Sequence, residues 1–165
     1  MRLFLLSLGL MLIGVWLNIV FNNYVQIGGL KINWILIFML ILAFRHSKLA
    51  ITFVGILAGL TMDALSHGIM GLYGTSFFLT LLLISHLNKL FYANTFFAVS
   101  LAVFFMSSFE GWISLSILGM FEPGFELSSH LLTLTLPLAL LQGLMTPIIL
   151  QFVIWSENLF LRDVA

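Results

Sequence analysis

Three charged side chains stand inside or at the edge of apolar stretches: Lys31, Asp63 and Glu110. A carboxylate placed in hydrocarbon costs roughly 2.5 to 3.5 kcal/mol on insertion scales, so each acid needs a partner or a task. Such acids can relay protons or bind ions, but a relay needs a continuing route, and none is expected from these two toward the opposite side. His46, His67, His86 and His130 supply no His-x-x-x-His pair on one helix, and cysteine is absent, so no metal centre or disulfide is expected. Ser107-Ser108 and Ser128-Ser129 lack a Gly-x-Ser-x-Gly frame, and serines in membrane helices more often bond backbone carbonyls. The residues point away from catalysis, and no cofactor is expected.

Asp63 lies in the run Gly55-Ile56-Leu57-Ala58-Gly59-Leu60-Thr61-Met62-Asp63. Gly55, Gly59 and Asp63 are spaced by four, so they advance only about 40° per step and share one helix face, with Ala58 beside it. Small residues at this spacing let another helix backbone come close. The expectation is that this helix is the packing centre of a bundle, with Gly68, Gly71 and Gly74 forming the tight turn after it. Counting fifteen residues from Lys48 to Asp63, at ~1.5 Å each, puts the carboxylate roughly 22 Å from that edge. Glu110, fifteen residues after Thr95, reaches a similar depth, and Lys31 enters from the same side. The three are expected to form one polar cluster.

The elements that position these residues follow from composition. The chain has 165 residues, of which 62% are hydrophobic and 7% charged, with a mean hydropathy of +1.20. Soluble domains are about 25% charged, and one this small could not bury so much apolar surface. Lipid is the expected solvent. Formal net charge is zero, which gives no reason to expect nucleic acid as a partner. Apolar runs place spans at about 3–21, 32–44, 49–65, 71–87, 95–118 and 131–155 in a single domain, 1–165. The first run follows Arg2 but has no small-x-small cleavage site, so it is read as a retained span. Pro137 and Pro147 are expected to bend or locally break the sixth. Six spans place both termini on one side. Arg2, Arg45, Lys48, Lys89 and Arg162 collect there, and only Lys31 falls opposite, so the positive-inside rule puts both termini in the cytoplasm. Trp16, Trp34, Trp112 and Trp155 are read as interfacial.

Taken together, these features resemble the MreD family of rod-shape-determining membrane proteins. The resemblance covers most of the chain and is densest between Lys31 and Asn94. Its blocks are Lys31-Ile32-Asn33-Trp34, the basic turn Arg45–Lys48, Gly59-Leu60-Thr61-Met62-Asp63-Ala64-Leu65-Ser66-His67-Gly68 with Gly71 beyond it, Glu110, and Gly143-Leu144-Met145-Thr146-Pro147. One position departs, because Ile32 stands where family members often carry proline.

The resemblance implies an all-α bundle of six transmembrane helices, similar to the substrate-binding subunits of energy-coupling-factor transporters. It also implies a non-enzymatic subunit of the bacterial inner membrane that binds MreC, with RodA, a class B penicillin-binding protein and MreB in the larger elongasome that builds lateral peptidoglycan. Gly55, Gly59, Asp63, Gly68 and Gly71 would then serve helix packing. The alternative is a small-molecule-binding subunit of a transporter, with a pocket near Lys31, Asp63 and Glu110 lined by Phe109 and Trp112.

Overall fold

The computed structural model describes residues 2–24, 31–46, 49–66, 69–87, 96–121 and 130–161. Among these the chain is all-helical, with six helices: α1 (Arg2–Tyr24), α2 (Trp34–Arg45), α3 (Leu49–Ser66), α4 (Leu72–Leu87), α5 (Phe96–Phe121) and α6 (Leu136–Leu161). A π-helical turn over Leu131–Thr135 leads into α6. Three of these segments, Arg2–Phe21, Phe96–Phe121 and Leu131–Leu159, are long and apolar enough to cross a membrane. Gly68, the connections around 25–30 and 122–129, and the cations Lys48, Lys89 and Arg162 lie outside the described residues.

The architecture is a ring around an axis. Helices α1, α3, α4, α5 and α6 touch in that order, α6 closes back onto α1, and α2 contacts all five. Every residue from Trp34 to Phe44 is buried, Ile35 to Ile37 and Met39 to Leu42 completely. This corrects the expectation that α3 is the packing centre. The reason is physical: Trp-Ile-Leu-Ile-Phe-Met-Leu-Ile-Leu-Ala-Phe is apolar on every side, and a helix apolar all round belongs in a core. At 12 residues and about 1.5 Å per residue, α2 is only about 18 Å long, too short for a hydrocarbon layer of about 30 Å. Trp34 is likewise buried rather than interfacial, and it meets Phe21 edge to face with centroids 5.0 Å apart.

Close backbone approaches hold the ring. A Cβ on Gly14 of α1 would come within 3.0 Å of the Ile35 Cα, so α1 lies directly on the central helix. On α3, Gly55 faces the Leu81 side chain of α4, and Gly59 faces the α4 backbone itself. Pro147 sits within α6 without breaking it, and the Thr146 hydroxyl donates to the Gln142 carbonyl one turn back at 2.8 Å. At the other proline the helix widens: the π turn ends immediately before Leu136-Pro137, where the Leu136 N–H reaches back to the Leu131 carbonyl.

The α3–α4 contact is the tightest point. A Cβ on Gly59 would lie 2.6 Å from the Tyr73 carbonyl oxygen and 2.7 Å from the Gly74 Cα, and backbone cannot swing aside as a side chain can. Gly59→Ala should cost about 1–3 kcal/mol through overpacking, and Gly59→Leu more. Gly9→Ala is the control, because nothing lies within 4 Å of a Cβ there. The expected result is a lower thermal unfolding midpoint for both Gly59 variants and none for Gly9→Ala.

Candidate functional site

Asp63 is 3% exposed, and its carboxylate has a structural task. Oδ1 accepts the Tyr73 N–H at 2.8 Å, while Oδ2 accepts the Gly71 and Gly74 N–H groups, both at 3.1 Å. Tyr73 and Gly74 belong to the first turn of α4 and Gly71 immediately precedes it, where backbone donors have no partner within the helix. The helix dipole also favours a negative charge at this end. Gly71 makes the geometry available: its φ is +92°, a conformation side chains disfavour, and it turns the chain so that three N–H groups converge on one carboxylate. The Asp63 charge is therefore a cap supplied by the preceding helix, closing the α3–α4 hairpin.

Glu110, also buried, has different partners. Its Oε1 accepts the Ser76 hydroxyl of α4 at 3.1 Å and the Ser114 hydroxyl at 2.9 Å. No hydrogen bond from the described residues engages Oε2. Glu110 lines a cavity of about 690 Å³ that also reaches Lys31, Tyr73, Ser107, Thr135 and Gln142. Lys31 is exposed at the rim. The structure thus brings Lys31 and Glu110 to one cavity and gives Asp63 to α4, with no ion pair joining the three among the described residues. Phe109 and Trp112, expected on a pocket wall, stack on each other instead with centroids 6.3 Å apart, and Trp112 is half exposed. The cavity lining contains neither.

Several polar residues that sequence reasoning did not single out complete the picture. Asn18 of α1 accepts the Trp34 N–H at 3.1 Å, and Asn33 caps α2 by accepting the Leu36 N–H at 3.3 Å. The Asn18 amide also donates to Met62 Sδ at 3.2 Å, which ties α1, α2 and α3 together. At the opposite end of α2, Arg45 grips Glu157 of α6 through Nη2 at 2.7 Å and Nε at 3.1 Å, and His46 Nε2 lies 2.9 Å from the same carboxylate. Glu157 was invisible as a site because an acid near the end of the last apolar run reads as interfacial. Its signal would have been charge balance against Arg45. Among the described residues no cluster of His, Cys, Asp or Glu is arranged to hold a metal.

The cap predicts a graded response. Asp63→Ala leaves three amides at the start of α4 without an acceptor, a loss of about 2–4 kcal/mol. Asp63→Asn keeps one acceptor oxygen and should fall between that variant and the parent. Hydrogen exchange at Gly71, Tyr73 and Gly74 should quicken in the same order, with the first turn of α4 affected before the rest of the bundle. Compared with protein-family models, curated proteins and solved structures, the chain gives no match to any of the three.

Proposed function

We propose that this chain is a non-enzymatic, multi-pass subunit of the bacterial inner membrane, similar to MreD proteins, that binds the membrane helix of a bitopic, MreC-like partner. In this reading six segments cross the bilayer, the short α2 doing so together with the non-helical residues 31–33 before it, and both termini are cytoplasmic, since Arg2, Arg45, Lys48, Lys89 and Arg162 share one side. It would support cell shape and lateral peptidoglycan synthesis within a larger complex of RodA, a class B penicillin-binding protein and MreB. The resemblance carried by Lys31–Trp34 and Gly59–Gly71 supports the family. The use of Asp63 as a helix cap supports a scaffold role, because both of its oxygens are occupied.

The single observation that carries partner binding is Gln151. This amide is exposed on the outer face of α6, ten residues before the helix ends, in a groove shared with Pro147, Ile148, Phe152, Trp155 and Asn158. Ile148 and Trp155 are 71% and 58% exposed. An uncharged amide facing lipid finds no hydrogen-bond partner there, whereas a second helix carrying a polar side chain supplies one. The groove therefore suits a single transmembrane helix with a polar residue at matching depth.

The test is co-purification from native membranes with the tagged chain. A bitopic partner should be recovered with the parent, and Gln151→Leu should reduce recovery about five- to thirtyfold, as for an interhelical hydrogen bond of about 1–2 kcal/mol. Because Gln151 is exposed, thermal stability should not change. Recovery of no bitopic protein, or full recovery with Gln151→Leu, would overturn the reading. The transporter-subunit alternative is favoured by one observation, the polar cavity.

A further inference from the structure

Four buried side-chain polar atoms take no hydrogen bond among the described residues, Trp34 Nε1, Ser100 Oγ, Ser107 Oγ and Gln142 Oε1, and the last two belong to residues that line the cavity beside Glu110. Ser107 is 4% exposed and Gln142 is 1% exposed, yet neither Ser107 Oγ nor Gln142 Oε1 has a hydrogen-bond partner among the described residues. Buried polar atoms are nearly always paired, and an unpaired one costs about 1–3 kcal/mol. Both atoms belong to residues lining the same 690 Å³ space, which falls in the range of small-molecule sites, about 300–1,000 Å³. Ser107, Glu110 and Ser114 stand at i, i+3 and i+7 on α5 and share a face. Gln142 approaches from α6, and the widened turn before α6 adds Leu134 and Thr135 to the wall. π turns inside helices are frequent at functional sites.

The polar floor is rich in acceptors. Gln142 Oε1 only accepts, as does Glu110 Oε2 when the carboxylate is ionised, and the hydroxyls of Ser107 and Thr135 can accept as well. A molecule seated there must bring N–H or O–H donors, and an ammonium brings both donors and the charge that matches an ionised Glu110. Met62, Leu65, Leu115, Leu134 and Leu138 supply apolar parts of the lining, beside the polar Asn18, Asn33, Ser66 and Tyr73. At the rim stands Lys31, a cation with no ion pair among the described residues.

We propose that this cavity binds a zwitterionic molecule, its N–H-bearing ammonium group on Glu110, Ser107 and Gln142 and its anionic group at Lys31. The ammonium pairs with the Glu110 carboxylate in its ionised form, and rotation of the Ser107 and Gln142 side chains, whose orphaned atoms are closed off from the open space, brings them onto the same N–H groups. The phosphate of a lipid headgroup and that of a soluble phosphoamine present the same chemistry at the rim, so either source fits. The proposal is independent of the partner reading, because the groove on α6 lies on residues the cavity does not use.

The experiment measures thermal unfolding of the purified full chain with four probes. Two are soluble, phosphoethanolamine and phosphocholine. Two are nanodisc lipids, phosphatidylethanolamine and phosphatidylcholine. Choline carries the same charge as ethanolamine but no N–H, so it isolates the donor requirement. The ethanolamine probes should raise the midpoint by on the order of 5 °C at about a hundredfold excess over the dissociation constant, and the choline probes should not. A response to the soluble probe identifies a free ligand, and a response to the lipid alone identifies a headgroup. Either supports the site. Gln142→Leu and Ser107→Ala remove orphaned atoms, so without ligand they should fold at least as stably as the parent while losing the response. Lys31→Gln should reduce it. Equal responses to ethanolamine and choline, no response to any probe, or a full response in Gln142→Leu would overturn the proposal. No arm involves a protein partner, so these outcomes are separate from those of the co-purification.

Discussion

A helix too short and too apolar to face anything but protein sets the plan of the bundle. Residues Trp34 to Phe44 are buried on all sides, so five other helices must surround them, and the contacts form that ring. Burial of this kind is stabilising at roughly 25 cal/mol per Å² of apolar surface, but it is directionless. Position along the axis must come from the polar ends. At one end Asn18 and Asn33 satisfy the first amides of α2, and at the other Arg45 and His46 lock onto Glu157 of α6. The axis is held by burial along its length and by hydrogen bonds at its tips.

The three described acids that are buried follow one rule with different solutions. Asp63 is satisfied by backbone amides, Glu157 by cationic side chains, and Glu110 by two hydroxyls on a single oxygen. The first two are closed sites, with every oxygen occupied. Among these three, Glu110 alone keeps an oxygen without a hydrogen bond from the described residues, and it lines the 690 Å³ cavity. Chemical availability therefore tracks incomplete satisfaction rather than mere burial, and this separates Glu110 from Asp63 although both are buried.

Much of the helical framework was legible in the sequence, because apolar runs bounded by charge, glycine and proline leave few alternatives to helices. The central place of α2 was legible in principle from its uniform apolarity and short length. The four-residue spacing of Gly55, Gly59 and Asp63 drew attention to α3 instead, and that face turns out to meet α4. Depth could be counted from Lys48 and Thr95, but the direction in which a side chain points could not. Residue counting gives height on a helix, whereas clustering also needs the angle between helices. Asp63 is the example: its partners lie eight to eleven residues ahead, beyond any local capping pattern.

The neutral polar residues were the least legible, and they matter most for the cavity. Ser108 donates to the Phe104 carbonyl one turn back, which is the ordinary state of a serine in an apolar helix. Its neighbour Ser107 makes no such bond. Nothing in the sequence distinguishes the two, because the difference arises only when α6 arrives with Gln142 and leaves a space between. A chain selected solely for packing would gain by replacing both orphaned groups with apolar side chains of the same shape, since removing two unpaired polar groups is nearly neutral or stabilising. Keeping them, beside an acid whose Oε2 takes no hydrogen bond from the described residues and next to a widened helical turn, is a cost that the proposed polar ligand would offset.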